Sequence, residues 1–346
     1  MNPKWRTPYL IRESYCLCQV YFKRFKWVSH RHGFWAFFHS WRIDHQKWLK
    51  LFILGLYQPE PLIGCHWYGM TEPYCSLKDK LMQKLLFNII KPCFKHIISA
   101  QCRHLKGPLE IKSIRQDIQS ALHQDYRYVI RTDIRSYYAS IDHESLKQAV
   151  CRSFDDPRVI HSLHRIIETP IDRGGWLETK SCGIIRRSSF SSFFAALYLL
   201  PLDQIFEQRD ALFYCRYNDD ILILCRSKSA FVKAKRRLKH CVAQLKLKLA
   251  YNKTPMGLIQ QGFHFLGLKF EVTRISQTNP NKKLPPKKVL VSLHPRSIRR
   301  AIDKAKLKQN AGESPAKVQY YCHQWNKWWS GTLGRDVGSP IEKWIR

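Results

Sequence analysis

The chain has 346 residues, with Lys+Arg 59 against Asp+Glu 26 and a formal net charge of +33. Hydrophobic residues make up 45%, which excludes a disordered basic tail and leaves room for one large or two to three smaller domains. A folded protein this basic most often faces a polyanion, usually nucleic acid. An anionic membrane is the weaker reading, because the positive charge runs the full length instead of forming one amphipathic anchor.

The N-terminus, MNPKWRTPYLIRES, has no apolar core of signal-peptide length, and the longest apolar run, FFAALYLLPL, is too short to cross a bilayer. Residues 1–54 are basic and aromatic, as in VYFKRFKWVSHRHGFWAFFHSWR. Such interleaving suits a phosphate backbone with stacked bases, but an amphipathic helical layer whose rings are core explains most of the aromatics. Cys16 and Cys18 precede His30 and His32 at a spacing unlike a standard zinc finger. The 12 cysteines include no C-x-x-C pair, and Cys215, Cys225 and Cys241 sit among apolar residues as small hydrophobes. A reducing cytoplasm is expected.

SLKDKLMQKLLFNIIKPCFKHI has helical periodicity with lysines on the other face, and CRHLKGPLEIKSIRQDIQSAL reads as a Gly-Pro turn entering a second basic helix. RYVIRTDI predicts a buried strand closing at Asp133, and IDHESLKQAV a helix capped by Asp142. SSFSSFFAALYLLPLDQIF predicts one long apolar helix. LFYCRY and ILILC predict a hairpin joined through Asn-Asp-Asp, and SAFVKAKRRLKHCVAQLKLKL a strongly basic helix. FHFLGLKF alternates as one strand. QTNPNKKLPPKK reads as a linker, followed by a basic helical tail ending in YCHQWNKWWSG.

The adjacent carboxylates Asp219 and Asp220, between two apolar runs, need a reason to stay together. Nucleotide addition supplies one, since it uses two divalent ions about 4 Å apart held by carboxylates converging from distant parts of the chain. If the Asp133 strand pairs with the hairpin, the three carboxylates meet at one sheet edge.

Tyr217-Asn218-Asp219-Asp220 resembles the Tyr-x-Asp-Asp motif of reverse transcriptases. RTDIRSYYASIDH resembles the first catalytic motif of their bacterial members and SSFFAALYLLPLD the second. LAYNKTPMG and GFHFLGLKF resemble the motifs after the hairpin, while CSLKDKLMQKLL and CRHLKG resemble finger blocks. The resemblance implies an α+β right-hand polymerase. Fingers and palm would occupy 55–275, with an antiparallel palm sheet, and a linker and short helical thumb 276–346. It implies that Asp133, Asp219 and Asp220, with Ile134 beside the first, hold two Mg²⁺ ions (or Mn²⁺ in their place), and that Lys253 assists the pyrophosphate. Tyr138 would exclude the ribose 2′-hydroxyl. Arg186, Arg187, Ser191, Lys106 and Lys112 would line the dNTP site, and Arg103, Arg236, Arg237 and Lys239 would contact nucleic acid.

The second motif departs from the family. Where Gln-Gly-x-Pro-x-Ser-Pro is usual, the chain has Arg186-Arg187-Ser188-Ser189-Phe190-Ser191-Ser192, so Arg187 replaces a glycine. Three readings are open. The first is a reverse transcriptase copying an RNA template, expected to be a noncoding RNA, from a DNA primer. The second is a silent paralogue that binds RNA or scaffolds another polymerase. The third is template-independent DNA synthesis in phage defence. Neither an endonuclease nor a ribonuclease H segment is expected, so insertion into a genome would need partners in trans. A homo-oligomer or protein partner is compatible with each reading, a membrane partner with none.

Overall fold

The computed structural model describes residues 7–25, 33–64, 73–107, 109–186, 188–207, 212–250, 256–274 and 287–334. The chain divides into two compact units. The first comprises Met1–Ala100, Arg135–Pro201 and Ala243–Leu247, and the second Gln101–Ile134, Leu202–Val242 and Lys248–Arg346.

The first unit opens with α1 (Thr7–Phe25), α2 (Gly33–Ile53), β1 (Leu62–Ile63), α3 (Leu77–Ile90) and α4 (Phe94–Ile97). Phe34, Phe37, Trp41, His45, Leu49 and Phe52 recur at helical spacing on the buried face of α2, so these rings are core and not a base-stacking platform. His45 sits among them, with Nδ1 3.0 Å from the Trp41 carbonyl and Nε2 2.8 Å from the Tyr15 hydroxyl. The carbonyl can only accept, so Nδ1 donates to it. His30 and His32 lie outside the described residues, so the Cys16/Cys18 zinc reading does too. The basic helix predicted from Ser76 starts at its Ser76 cap, which accepts from the Asp79 backbone N–H. It breaks at Lys91–Cys93, a 3₁₀ turn containing Pro92, because proline has no N–H to continue the ladder.

The second chain segment of this unit holds α6 (Tyr137–Ser140), α7 (His143–Ser153), α8 (Pro157–Ile167), β3 (Ile171–Asp172), β4 (Leu177–Glu178) and α9 (Ser191–Tyr198). β3 pairs parallel with β1 and antiparallel with β4. The predicted long apolar helix is two. α9 stops at Tyr198, and α10 (Leu200–Glu207) restarts with Pro201 in its first turn, where a missing N–H costs nothing. Phe193 on α9 stacks on Phe94 with centroids 4.2 Å apart.

Asp142 caps α7 as the sequence predicts. Its carboxylate accepts from the Ser145 N–H at 2.9 Å and pairs with Lys246 at 2.9 Å. The Ser145 bonds and Lys246 lower its pKa to about 2. Asp142→Ala is expected to cost about 1 kcal/mol at neutral pH. Because the folded pKa is depressed, the ionic part of that contribution is present above the ordinary value of 3.8 and is lost as pH falls through about 2. Thermal melts of both proteins at pH 7 and pH 2 check this, and the difference should shrink at the lower pH.

The second unit contains α5 (Glu110–His123), β2 (Tyr128–Thr132), β5 (Leu212–Tyr217), β6 (Asp220–Cys225), α11 (Lys228–Gln244), β7 (Met256–Leu258), β8 (Phe263–Phe265), β9 (Leu268–Arg274), β10 (Lys287–Leu293), α12 (Pro295–Asn310) and α13 (Pro315–Leu333). One antiparallel sheet runs in the order β5-β6-β2-β7 and another in the order β10-β9-β8. Helices and antiparallel sheets therefore make an α+β protein, as expected. Ile114 and Ile118 of α5 pack with Val129, Leu222, Leu224, Phe263, Phe265, Phe270 and Trp329 in one core cluster.

FHFLGLKF is not one strand but a hairpin, β8 turning into β9 at Leu266-Gly267, where φ is +48° and +81°. A Cβ on Gly267 would lie 2.8 Å from the Ser297 Oγ, so only glycine fits that corner. The stretch QTNPNKKLPPKK lies almost wholly outside the described residues, and the chain continues from it into the strand β10 before the expected helices begin.

Candidate active site

β2 runs antiparallel to β6, with Thr132 opposite Ile221 and Arg131 opposite Leu222. Continuing that register carries Asp133, just past the strand end, level with Asp220. β5 and β6 close on a two-residue turn, Tyr217 pairing with Asp220 across Asn218 and Asp219. Asn218 has φ +58°, a conformation asparagine tolerates better than most residues. β6 is buried from Ile221 to Cys225. A strand so apolar, held between two neighbours, fixes the position of the carboxylates at its end.

Asp219 is drawn to Asp133. Its pKa rises to about 6, first because burial penalises the charge, then because the Asp133 charge and a hydrogen bond between the two side chains favour the proton. The Asp133 carbonyl accepts from the Ala250 N–H at 2.8 Å, and Ile134, which is buried, bridges antiparallel to Leu249. The third carboxylate is directed differently, since Asp220 pairs with Arg131 at 3.0 Å. Arg131 stands two positions before Asp133 on β2, and sequence reasoning passed over it.

Two further groups tie the turn. The Asn218 N–H donates to His104 Nδ1 at 3.1 Å, and the Asn218 carboxamide donates to Asp219 Oδ1 at 2.7 Å. Arg216, fully buried, reaches the Asn218 carbonyl from Nη1 at 3.0 Å. Its remaining nitrogens meet Asp203, also fully buried, through Nε at 2.7 Å and through Nη2. The Tyr214 hydroxyl donates to the same Asp203 Oδ1 at 2.6 Å. A buried arginine in the otherwise apolar LFYCRY, and an aspartate in the apolar LLPLDQIF, were the signals for this pair, because neither charge is stable in a core alone.

Among the described residues, no three His, Cys, Asp or Glu side chains are gathered to hold a metal ion. The donor chemistry nevertheless suits a hard cation. Two carboxylates adjoin at Asp133 and Asp219, one of them holding a proton more tightly than an ordinary aspartate, and Mg²⁺ takes one or two carboxylates with substrate and water oxygens completing its shell.

Of the other predicted site residues, Lys253 and Arg187 lie outside the described residues. In the first unit, the exposed Arg186 guanidinium lies 5.7 Å from the Tyr138 ring centroid. Both line a cavity of about 670 Å³ with His143, Lys180, Cys182 and Ser188. Ser191 is buried, and its hydroxyl donates to the Ser188 carbonyl at 3.0 Å. It opens α9 and is turned away from solvent, which does not fit a direct contact with dNTP. In the second unit, Lys106 and Lys112 are exposed, as are Arg236 and Lys239 on α11, with Arg237 half-buried. Arg103 differs from the expectation of a nucleic-acid contact. Its guanidinium holds α5 through Glu110, through Asp117 at 2.8 Å and through Ser113 at 2.8 Å. A phosphate would have to break those bonds.

No described helix is long and apolar enough to cross a membrane. Protein YkfC of Escherichia coli (strain K12) is 23% identical to this chain, over 60% of the chain and 66% of YkfC, so the chain spans just under two thirds of that relative's length. Two structures of apo telomerase from Candida tropicalis are also similar. One, truncated from the C-terminal domain, has a TM-score of 0.43 and 15% identity over 56% of this chain and 47% of its own. The other has a TM-score of 0.42 and 16% identity over 57% and 39%. The model of the family described as Reverse transcriptase (RNA-dependent DNA polymerase) matches residues 72–270. That span contains Asp133, Tyr138, Asp219 and Asp220 and takes in more than half of the sequence, and the chain belongs to the reverse transcriptase family.

Proposed function

We propose that the protein is an RNA-directed DNA polymerase that adds dNTPs to a primer 3′-hydroxyl and releases pyrophosphate. The observation carrying this reading is the adjacency of Asp219 and Asp133 at the paired ends of β6 and β2, where burial first, and then the neighbouring Asp133 carboxylate, raise the Asp219 pKa to about 6. A fold gains nothing from keeping two such carboxylates together, whereas a divalent cation stabilises both. Asp133 and Asp219, with Asp220 following, would hold two Mg²⁺ ions, or Mn²⁺. When bound, these supply positive charge to the reacting phosphate and lower the pKa of the primer hydroxyl. Arg131 holds Asp220 in place, so this carboxylate supports the site from its edge.

The template would be a noncoding RNA and the primer or product DNA, in a reducing cytoplasm that keeps the cysteines free. The +33 charge supports binding that rests mainly on phosphate contacts and weakens as salt rises. Tyr138 would close the sugar pocket against a 2′-hydroxyl. Tyr138→Ala is expected to raise the kcat/KM for rNTP relative to dNTP by about 10–100-fold, measured by single-nucleotide incorporation on one primer–template. An unchanged ratio would remove Tyr138 from the sugar pocket.

The reading is tested by incorporation of labelled dNTP with Mg²⁺ or Mn²⁺, with and without an RNA template and DNA primer. Templated incorporation is the expected result. Equal incorporation without template would favour untemplated synthesis, and RNA binding with no incorporation would favour a scaffold.

A further inference from the structure

We infer that Asn218 is a positioning residue for Asp219, and that the buried Arg216–Asp203 pair holds Asn218 in the conformation that lets it act. This rests on the reading of Asp219 as a metal ligand. The Asn218 carboxamide donates to Asp219 Oδ1 at 2.7 Å, which fixes the carboxylate rotation and leaves Oδ2 and one lone pair of Oδ1 for other partners. An Asn side chain reaches its neighbour's carboxylate only if the backbone turns sharply there, and φ +58° at Asn218 is that turn.

The turn is held from both sides of its peptide groups. His104 Nδ1 receives the Asn218 N–H, and Arg216 Nη1 donates to the Asn218 carbonyl. Arg216 is itself held by Asp203, whose carboxylate also receives the Tyr214 hydroxyl. A fully buried ion pair is a poor source of stability. An arginine that Asp203 grips through Nε and Nη2 and that points Nη1 at the turn carbonyl therefore finds its use in placing the turn. All six residues, Asp219 included, belong to the second unit.

The readout is Mn²⁺ affinity, taken from the electron paramagnetic resonance signal of free Mn²⁺, beside dNTP incorporation and thermal melting. Asn218→Gly keeps the positive φ and removes the carboxamide. It is expected to weaken Mn²⁺ binding about tenfold, the lower end of the effect of losing a partner to a metal ligand, with a melting temperature near wild type. The triple variant Arg216→Met/Asp203→Leu/Tyr214→Phe keeps Asn218, removes its anchor, and takes out Arg216, Asp203 and Tyr214 together so that no buried charge is left without its partner. It is expected to fold and to lose Mn²⁺ affinity to a similar degree.

Wild-type affinity in Asn218→Gly overturns the role of Asn218, and wild-type affinity in the triple variant overturns that of the Arg216–Asp203 pair. Should the glycine variant not fold, the triple variant decides. Wild-type protein that binds Mn²⁺ but incorporates no dNTP refutes the polymerase reading, while the comparison of affinities still decides this one. Wild-type protein that binds no Mn²⁺ refutes the inference outright.

Discussion

Asp219→Asn is expected to lower dNTP incorporation by about 10³-fold or more, since it removes several kcal/mol of transition-state charge stabilisation. Without divalent cation it is also expected to make the protein more stable. The folded pKa of Asp219 is about 6 against an ordinary 3.8, so the fold favours the protonated acid. The resulting stabilisation is complete below 3.8 and lost as pH rises through about 6. At pH 8 the wild type therefore bears the full penalty of the charge and the asparagine variant does not. Allowing for solvent screening of a half-buried group, the difference is about 1–2 kcal/mol, or a few degrees in Tm. Melts at pH 8 and pH 4 check the sign, because the gap should close at pH 4. A variant that is inactive and less stable at both pH values would mean that Asp219 is structural.

The second large effect concerns the Arg216–Asp203 pair. Arg216→Met alone leaves the Asp203 carboxylate buried without its cation, and is expected to cost about 3–5 kcal/mol. Adding Asp203→Leu and Tyr214→Phe replaces the whole polar group by apolar side chains of similar volume, so most of that stability should return. Urea denaturation of the single and triple variants measures both. If the single change costs under about 1 kcal/mol, the pair is not shielded from water as its zero exposure indicates. The two outcomes separate the worth of the pair for folding from its use at the turn, where restored stability is not expected to restore cation affinity.

Much of the site's skeleton could be read from the sequence because short-range chemistry fixed it. The apolar run ILILC flanked by Asn-Asp-Asp leaves little alternative to a buried strand with carboxylates at its end, and RYVIRTDI had to supply a partner strand ending likewise. Asp142 was readable as a cap because capping depends on residues three positions apart. What escaped were effects of partners distant in sequence or of a single special dihedral. Arg103 reads as a free cation in CRHLKG, and only the fold shows α5 presenting Glu110, Ser113 and Asp117 to it. FHFLGLKF keeps a strand's alternation through a turn because Leu266 adopts φ +48°, which its side chain does not advertise. The break between α9 and α10 was marked by Pro201, yet the strong apolarity of FFAALYLLPL outweighed it in the reading. Arg216 went unassigned because a basic chain makes any one arginine look ordinary; its place inside an apolar strand was the informative feature.

The most direct test of the central claim is single-nucleotide addition on a defined RNA template and DNA primer with Mg²⁺, each of the four dNTPs offered separately. The account predicts extension by the complementary nucleotide alone, following a change of template base and absent from Asp219→Asn. Extension by all four dNTPs regardless of the template base, or extension that survives in Asp219→Asn, would contradict it.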